Sequence, residues 1–192
     1  MTTLMKDPLY IILGTSHEIQ WEGGAPDIPL RACIDGLRDA ICQTVDAHHV
    51  KLIAEEALVS VPTVACQIAK GKNIPYVQFD MRPHEWREAG ICDEMDARTG
   101  PDPQKYGADE CRFPHADDIR EKLWLDKIEE EGGKPVLLVC GWAHVRALSK
   151  KVAERYGEHA EELFYPDHLR QMSIVDLFVD SAENVRVCGR PE

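Results

Sequence analysis

Short, nearly all-apolar runs alternate along this chain with stretches in which apolar residues return every three or four positions. Tyr10-Ile-Ile-Leu13 is the first such run and stops at Gly14. Runs of this kind belong to strands covered on both faces, as in parallel sheets. From Leu30 to about His49, residues Cys33, Ile34, Leu37, Ile41 and Val45 recur at helical spacing and predict an amphipathic helix. Val50 to Ala54 reads as a second strand that ends in Glu55 and Glu56. Pro62 suits the first turn of a helix capped by Ser60, running through Ile68 to a stop near Gly71. Ile74 to Phe79 is a third strand, with Pro75 tolerated near its start.

The periodicity then fades. Residues 81–117 carry prolines, glycines and many charges, which predicts a long irregular loop or lid. Asp117 or Asp118 caps the next helix, in which Ile119, Leu123 and Ile128 bear inward, and Gly132-Gly133 ends it. Pro135 to Cys140 is the clearest strand of all and runs into Gly141. A helix follows at once, with Val145, Leu148 and Val152 on one side and Gly157 as its stop. Further on, Ile174 to Val179 reads as a strand or a buried helical turn, and Val185 to Val187 as a last short strand. Strands alternating with helices predict an α/β fold, a mostly parallel sheet flanked by helices, with residues 1–192 as a single domain. In such folds ligands bind beyond the carboxyl ends of the strands. The residues following Leu13, Ala54, Phe79 and Cys140 therefore form the candidate functional edge.

Charge narrows the partners. The 192 residues hold 22 Lys+Arg against 34 Asp+Glu, a net charge of −12 with histidine neutral. Such an acidic excess works against a nucleic-acid backbone and against anionic membrane surfaces. A small molecule or a peptide fits as substrate, and the pattern carries no signal for an oligomeric state. The apolar run Leu9 to Leu13 is too short for a signal-peptide core or a membrane span. Seven cysteines, an odd number with no C-x-x-C pair, predict a reduced, cytoplasmic protein rather than a zinc ribbon or disulfide scaffold.

Two strand ends repeat one device. Gly14-Thr15-Ser16-His17 follows the first strand, and Gly141-Trp142-Ala143-His144 follows the fourth. Glycine lets the backbone turn sharply and lets another group approach closely. A histidine near a helix N-terminus is kept neutral by the dipole, ready to act as base or ligand. The second strand end supplies Glu55 and Glu56, of which only one can face a shared cleft because side chains alternate along a strand. Glu55 is the expected one, since it directly follows the apolar run. Arg120, with Trp124 one turn later, can hold a substrate carboxylate or an oxyanion, or fix Glu55 in place. His17, Glu55 and His144 can make a three-ligand site for Mn²⁺, Zn²⁺ or Co²⁺ with open positions for water. Alternatively, a histidine held by Glu55 activates water without a metal, and Arg120 receives the oxyanion.

Gly14-x-x-His17, strand-terminal Glu55, Arg120 and Gly141-x-x-His144 together resemble the superfamily that joins erythromycin esterases, Tiki/TraB proteins and the haem-binding ChaN proteins. The resemblance runs from about Leu9 to Leu148. It implies an α/β protein with paired histidines and a glutamate in one cleft, and hydrolysis of peptides or lactones, with or without a divalent metal. Glu121 stands where many relatives would have Asn or Asp. Two functions follow as expectations. One is a hydrolase of a peptide, amide or ester bond that uses His17, Glu55, Arg120 and His144. The other is a non-catalytic module that holds haem, another small molecule or a protein at the same edge. No G-x-S-x-G, Walker A or G-x-G-x-x-G motif is present, which argues against a serine hydrolase or a nucleotide cradle. Trp124 and Cys140 read as core, and His48-His49 and Glu129 to Glu131 as surface. His84, Glu85 and Trp86 fall in the irregular stretch.

Overall fold

A computed structural model describes residues 8–20, 28–92, 95 and 114–166. Five strands form one sheet: β1 Tyr10–Thr15, β2 Leu52–Glu55, β3 Tyr76–Gln78, β4 Val136–Gly141 and β5 Ala160–Tyr165. Among the described residues these helices accompany them: α1 Ile28–Ala47, α2 Val64–Lys72, α3 Pro83–Glu88, α4 Pro114–Glu131 and α5 Val145–Tyr156. The strand order is β3-β2-β4-β1-β5, and every pairing is parallel. The expected α/β architecture, a parallel sheet flanked by helices, is present.

Strand alternation divides the interior in two. Tyr10, Ile12, Leu52, Ala54, Leu138 and Cys140 face α4 and α5, where Trp124, Leu125, Ile128, Val145, Leu148 and Val152 complete the layer. Ile11, Leu13, Ile53, Leu137 and Val139 face the opposite way, against α1 and α2. That division follows from the strand order. Crossovers from β1 to β2 and from β2 to β3 run one way along the sheet, and those from β3 to β4 and β4 to β5 run back. With right-handed connections, reversing direction moves the helices to the other face. The register sets Gly14 beside Cys140, Thr15 beside Gly141 and Glu55 beside Val139. The carboxyl ends of β1 and β4 thus finish level, β2 ends two residues short of them, and the site is built there.

Several local details depart from the pattern-based expectation. Thr63, not Ser60, caps α2, its hydroxyl accepting from the Cys66 N–H at 3.1 Å. Helix α4 begins at Pro114, ahead of Asp117 and Asp118. Part of the 81–117 stretch is the short helix α3, and Met81, Ile91, Met95 and Ala116 form a small apolar cluster with Trp86 beside it. Residues 93, 94 and 96–113 of that stretch lie outside the described residues, as do Ile174 to Val179 and Val185 to Val187. Strand β5 escapes a hydrophobicity reading because only Phe164 of its six residues is buried. It is an edge strand, and Glu161 and Glu162 are charges of the kind that keep an edge from pairing with another chain. Cys42, Cys66, Cys92 and Cys140 are free, but Cys33 is disulfide-bonded, contrary to the expectation of thiols alone. Among the described residues no helix is long and apolar enough to cross a membrane.

Leu138 sits fully buried at the centre of β4, between β2 and β1. Leu138→Ala is expected to cost about 3 kcal/mol in urea unfolding through lost burial and the cavity left behind.

Candidate functional site

The chain leaves β1 through Ser16 and enters a 3-10 turn, His17–Ile19. Ile19 is buried, and the Gln20 carbonyl accepts from the Val64 N–H at 2.9 Å, which ties the turn to the start of α2. The chain leaves β4 through a second 3-10 turn, Trp142–His144, which runs directly into α5. Glycine at Gly14 lets these two turns pack, since a Cβ there would crowd Val145 and lie 2.8 Å from the Trp142 Cα.

Between the turns stands Glu56, one residue past β2. Its N–H donates to the Val139 carbonyl at 2.8 Å, extending the ladder by one step. Its carboxylate is almost fully buried and collects four neighbours. Oε1 accepts from Arg120 Nη2 at 2.7 Å and lies 3.6 Å from His144 Nε2. Oε2 accepts from the Gly141 N–H at 2.8 Å and lies 3.9 Å from His17 Nε2. A Cβ on Gly141 would lie 3.0 Å from His17 Nε2 and 3.4 Å from Glu56 Oε2. Glycine at this strand end is what allows the two imidazoles and the carboxylate to meet.

Burial alone would push the Glu56 carboxyl up, but His144, His17, Arg120 and the Gly141 N–H hold it below its ordinary value. It is therefore ionised. Arg120 is only 3% exposed and commits every guanidinium nitrogen to a carboxylate. Nε donates to Asp80 at 3.2 Å, Nη1 to Asp117 at 3.1 Å, and Nη2 to both Asp80 and Glu56. It holds Glu56, in place of the expected Glu55. The guanidinium also stacks 4.7 Å from the centre of the Trp124 ring, which is core as expected.

His144 is buried between two carboxylates, with Glu121 2.8 Å from Nδ1 and Glu56 facing Nε2. Burial opposes its charge, but Glu56 and Glu121 outweigh burial and raise its pKa, favouring the imidazolium. Lys151 holds the far oxygen of Glu121 at 2.8 Å. Asp80, Glu121 and Lys151 were not among the expected site residues. Asp80 had a signal, since it follows Phe79 at the end of the third strand. Glu121 had one too. Arg120 and Glu121 continue, one turn earlier, the inward stripe of Trp124, Leu125 and Ile128. Charged residues on the buried stripe of a helix need partners.

Glu55 is not part of this site. It shares the parity of Ile53, so its side chain enters the layer beneath α2 while Glu56 faces α4 and α5. There it accepts from Thr63 Oγ1 in a short hydrogen bond and from the Tyr76 hydroxyl at 2.6 Å. Burial dominates these bonds and pushes its pKa up to about 7. The set His17, Glu55 and His144 is thus not brought together, and Glu56 takes the place of Glu55. Among the described residues no group of three His, Cys, Asp or Glu side chains is placed to hold a metal ion. The donor chemistry points the same way. Glu56 is bonded to an arginine.

These groups floor a cavity of about 580 Å³ whose walls include Ala57, Leu58, Val59, Trp86, Met95 and Trp142. His17 reaches into it with 56% of its side chain exposed, and Leu58 stands at 42% exposure. Comparison with family models, curated proteins and solved structures finds no match to this chain.

Glu55 generates a pH prediction. Its folded pKa of about 7 lies above the ordinary 4.5, so the stability tied to its protonated form is complete below about pH 4.5 and is lost as pH rises through about 7. The loss is on the order of 3 kcal/mol. Glu55→Gln should remove that part of the pH dependence of urea unfolding and make the protein more stable than wild type at alkaline pH.

Proposed function

We propose that this protein is a hydrolase of neutral, partly apolar ester, amide or peptide substrates, working by histidine-activated water. The observation that carries the reading is the meeting of His17 Nε2, His144 Nε2 and the Glu56 carboxylate against Gly141, at the floor of one cavity. His17, the exposed imidazole, takes a proton from water as the oxygen bonds to the substrate carbonyl carbon. Glu56 stays ionised throughout and balances the charge that appears on His17. His144, held as an imidazolium by Glu56 and Glu121, stabilises the oxyanion. When the intermediate collapses, the acyl C–O or C–N bond breaks and His17 returns its proton to the leaving group. Arg120 and Asp80 keep Glu56 in place and do not touch substrate.

The substrate class follows from the walls. Asp80, Asp117 and Glu56 already neutralise Arg120, the arginine of the described lining, and Leu58, Val59, Trp142 and Met95 favour apolar substituents. The resemblance to the esterase and Tiki/TraB superfamily supports the same chemistry. No metal is required in this reading. A metal-dependent reading would draw on His17, Glu56 and His144 once Arg120 released the carboxylate.

The test is turnover of an ester and peptide library after treatment with a chelator, with and without added Mn²⁺, Zn²⁺ or Co²⁺. Turnover should survive chelation and fall by about 10²- to 10⁴-fold in His17→Ala, as for loss of a general base. Activity that returns only with added metal would favour the metal route. Absence of turnover, with a Soret band on haem addition, would favour a binding module.

A further inference from the structure

Resting on the reading of His17 as the base, we infer that Gln20 is the positioning residue that places the proton on Nδ1 of His17 and leaves Nε2 free to take one from water. The His17 ring sits on a 3-10 turn, more than half exposed, and an imidazole in that setting is free to carry its proton on either nitrogen. Gln20 removes the freedom. Its side-chain Oε1 lies 3.3 Å from His17 Nδ1, in position to accept a hydrogen bond from Nδ1–H. Among the described residues no acceptor holds a proton on the other nitrogen, because Glu56 Oε2 is 3.9 Å from Nε2, beyond hydrogen-bond reach.

Gln20 is itself held firmly. It is 1% exposed, and its backbone carbonyl accepts from the Val64 N–H at the start of α2. Its side-chain Nε2 is buried without a hydrogen-bond partner among the described residues. A buried amide with an unsatisfied donor costs the fold free energy, and a leucine of similar size would avoid that cost. Fold stability therefore gives no reason for the amide, whereas the tautomer of His17 does. Turning the amide over would set an N–H donor against Nδ1 and force the proton onto Nε2. The base would then face the cavity with a hydrogen in place of its lone pair.

Long-range ¹⁵N–¹H correlation spectra of the imidazoles, recorded with the rings neutral, report the tautomer without any substrate. In the wild type, His17 should be mostly the Nδ1–H form. Gln20→Leu should move the population several-fold toward Nε2–H, the form that favours an imidazole released into water. Gln20→Glu should restore Nδ1–H, since a carboxylate oxygen accepts the same hydrogen bond. Wild-type His17 found mostly as Nε2–H, or a Gln20→Leu variant with an unchanged ratio, would overturn the inference. If Gln20→Leu does not fold, the wild-type and Gln20→Glu spectra still decide it. Turnover judges the other half separately. A tautomer change without loss of kcat would leave Gln20 in this role and remove His17 as base.

Discussion

A carboxylate in the interior of a protein has to be compensated, and the charge on Glu56 organises everything around it. Taking that carboxylate out of water costs several kcal/mol unless cations and donors replace the lost hydration. Here the replacement comes from three separate parts of the chain: the Arg120 guanidinium on α4, the Gly141 N–H at the end of β4, and the two imidazoles on the turns after β1 and β4. Each of those groups is in turn compensated. Asp80 and Asp117 balance Arg120, while Glu121 and Lys151 continue the alternation of charge beyond His144. An array of this kind is held in one arrangement because its buried members share partners, and removing one takes compensating charge from its neighbours. A fixed arrangement is what proton transfer needs, since a reacting group displaced by an ångström loses much of its effect.

The sheet makes the array possible. Order β3-β2-β4-β1-β5 puts β4 between β2 and β1, so the turns that carry His17 and His144 flank the residue that leaves β2. Helices α1 and α2 cover one face, and α4 and α5 cover the other. The strand that feeds α5 therefore lies between strands that feed α1 and α2, which opens a crevice at the carboxyl edge where ligands bind in α/β folds. Neighbouring glutamates meet opposite environments across this sheet. Glu56 is surrounded by cations and is ionised, while one residue earlier Glu55 meets only hydroxyls and its pKa climbs to about 7.

Much of this is legible in the residues. Apolar runs locate β1, β2 and β4, helical spacing locates α1 and α5, and the two G-x-x-H strand ends mark both turns of the site. Choosing Glu55 over Glu56 fails for a definite reason. The end of an apolar run shows where a strand stops but not which face its last residues take, and that depends on which helices lie on each side. Parity with Leu52 and Ala54, read together with the inward charges Arg120 and Glu121, points to Glu56. Those charges also explain why the start of α4 is hard to trace, since its buried stripe opens on ionic residues that no hydrophobicity pattern registers. Strand β5 leaves no such pattern because hydrogen bonding to β1, rather than burial, defines it. Asp80 occupies the same kind of strand-end position as the histidines, and that position is the signal that would have found it.

Glu56 sets the charge state of its surroundings, and His144 reports it. An NMR titration of the His144 imidazole in wild type and Glu56→Gln reads this interaction directly. Removing the carboxylate charge should lower the pH at which His144 titrates, because Glu56 is the main influence opposing its burial. A titration midpoint unmoved by the substitution would mean that Glu56 does not govern the site, and would contradict its place at the centre of the charge array.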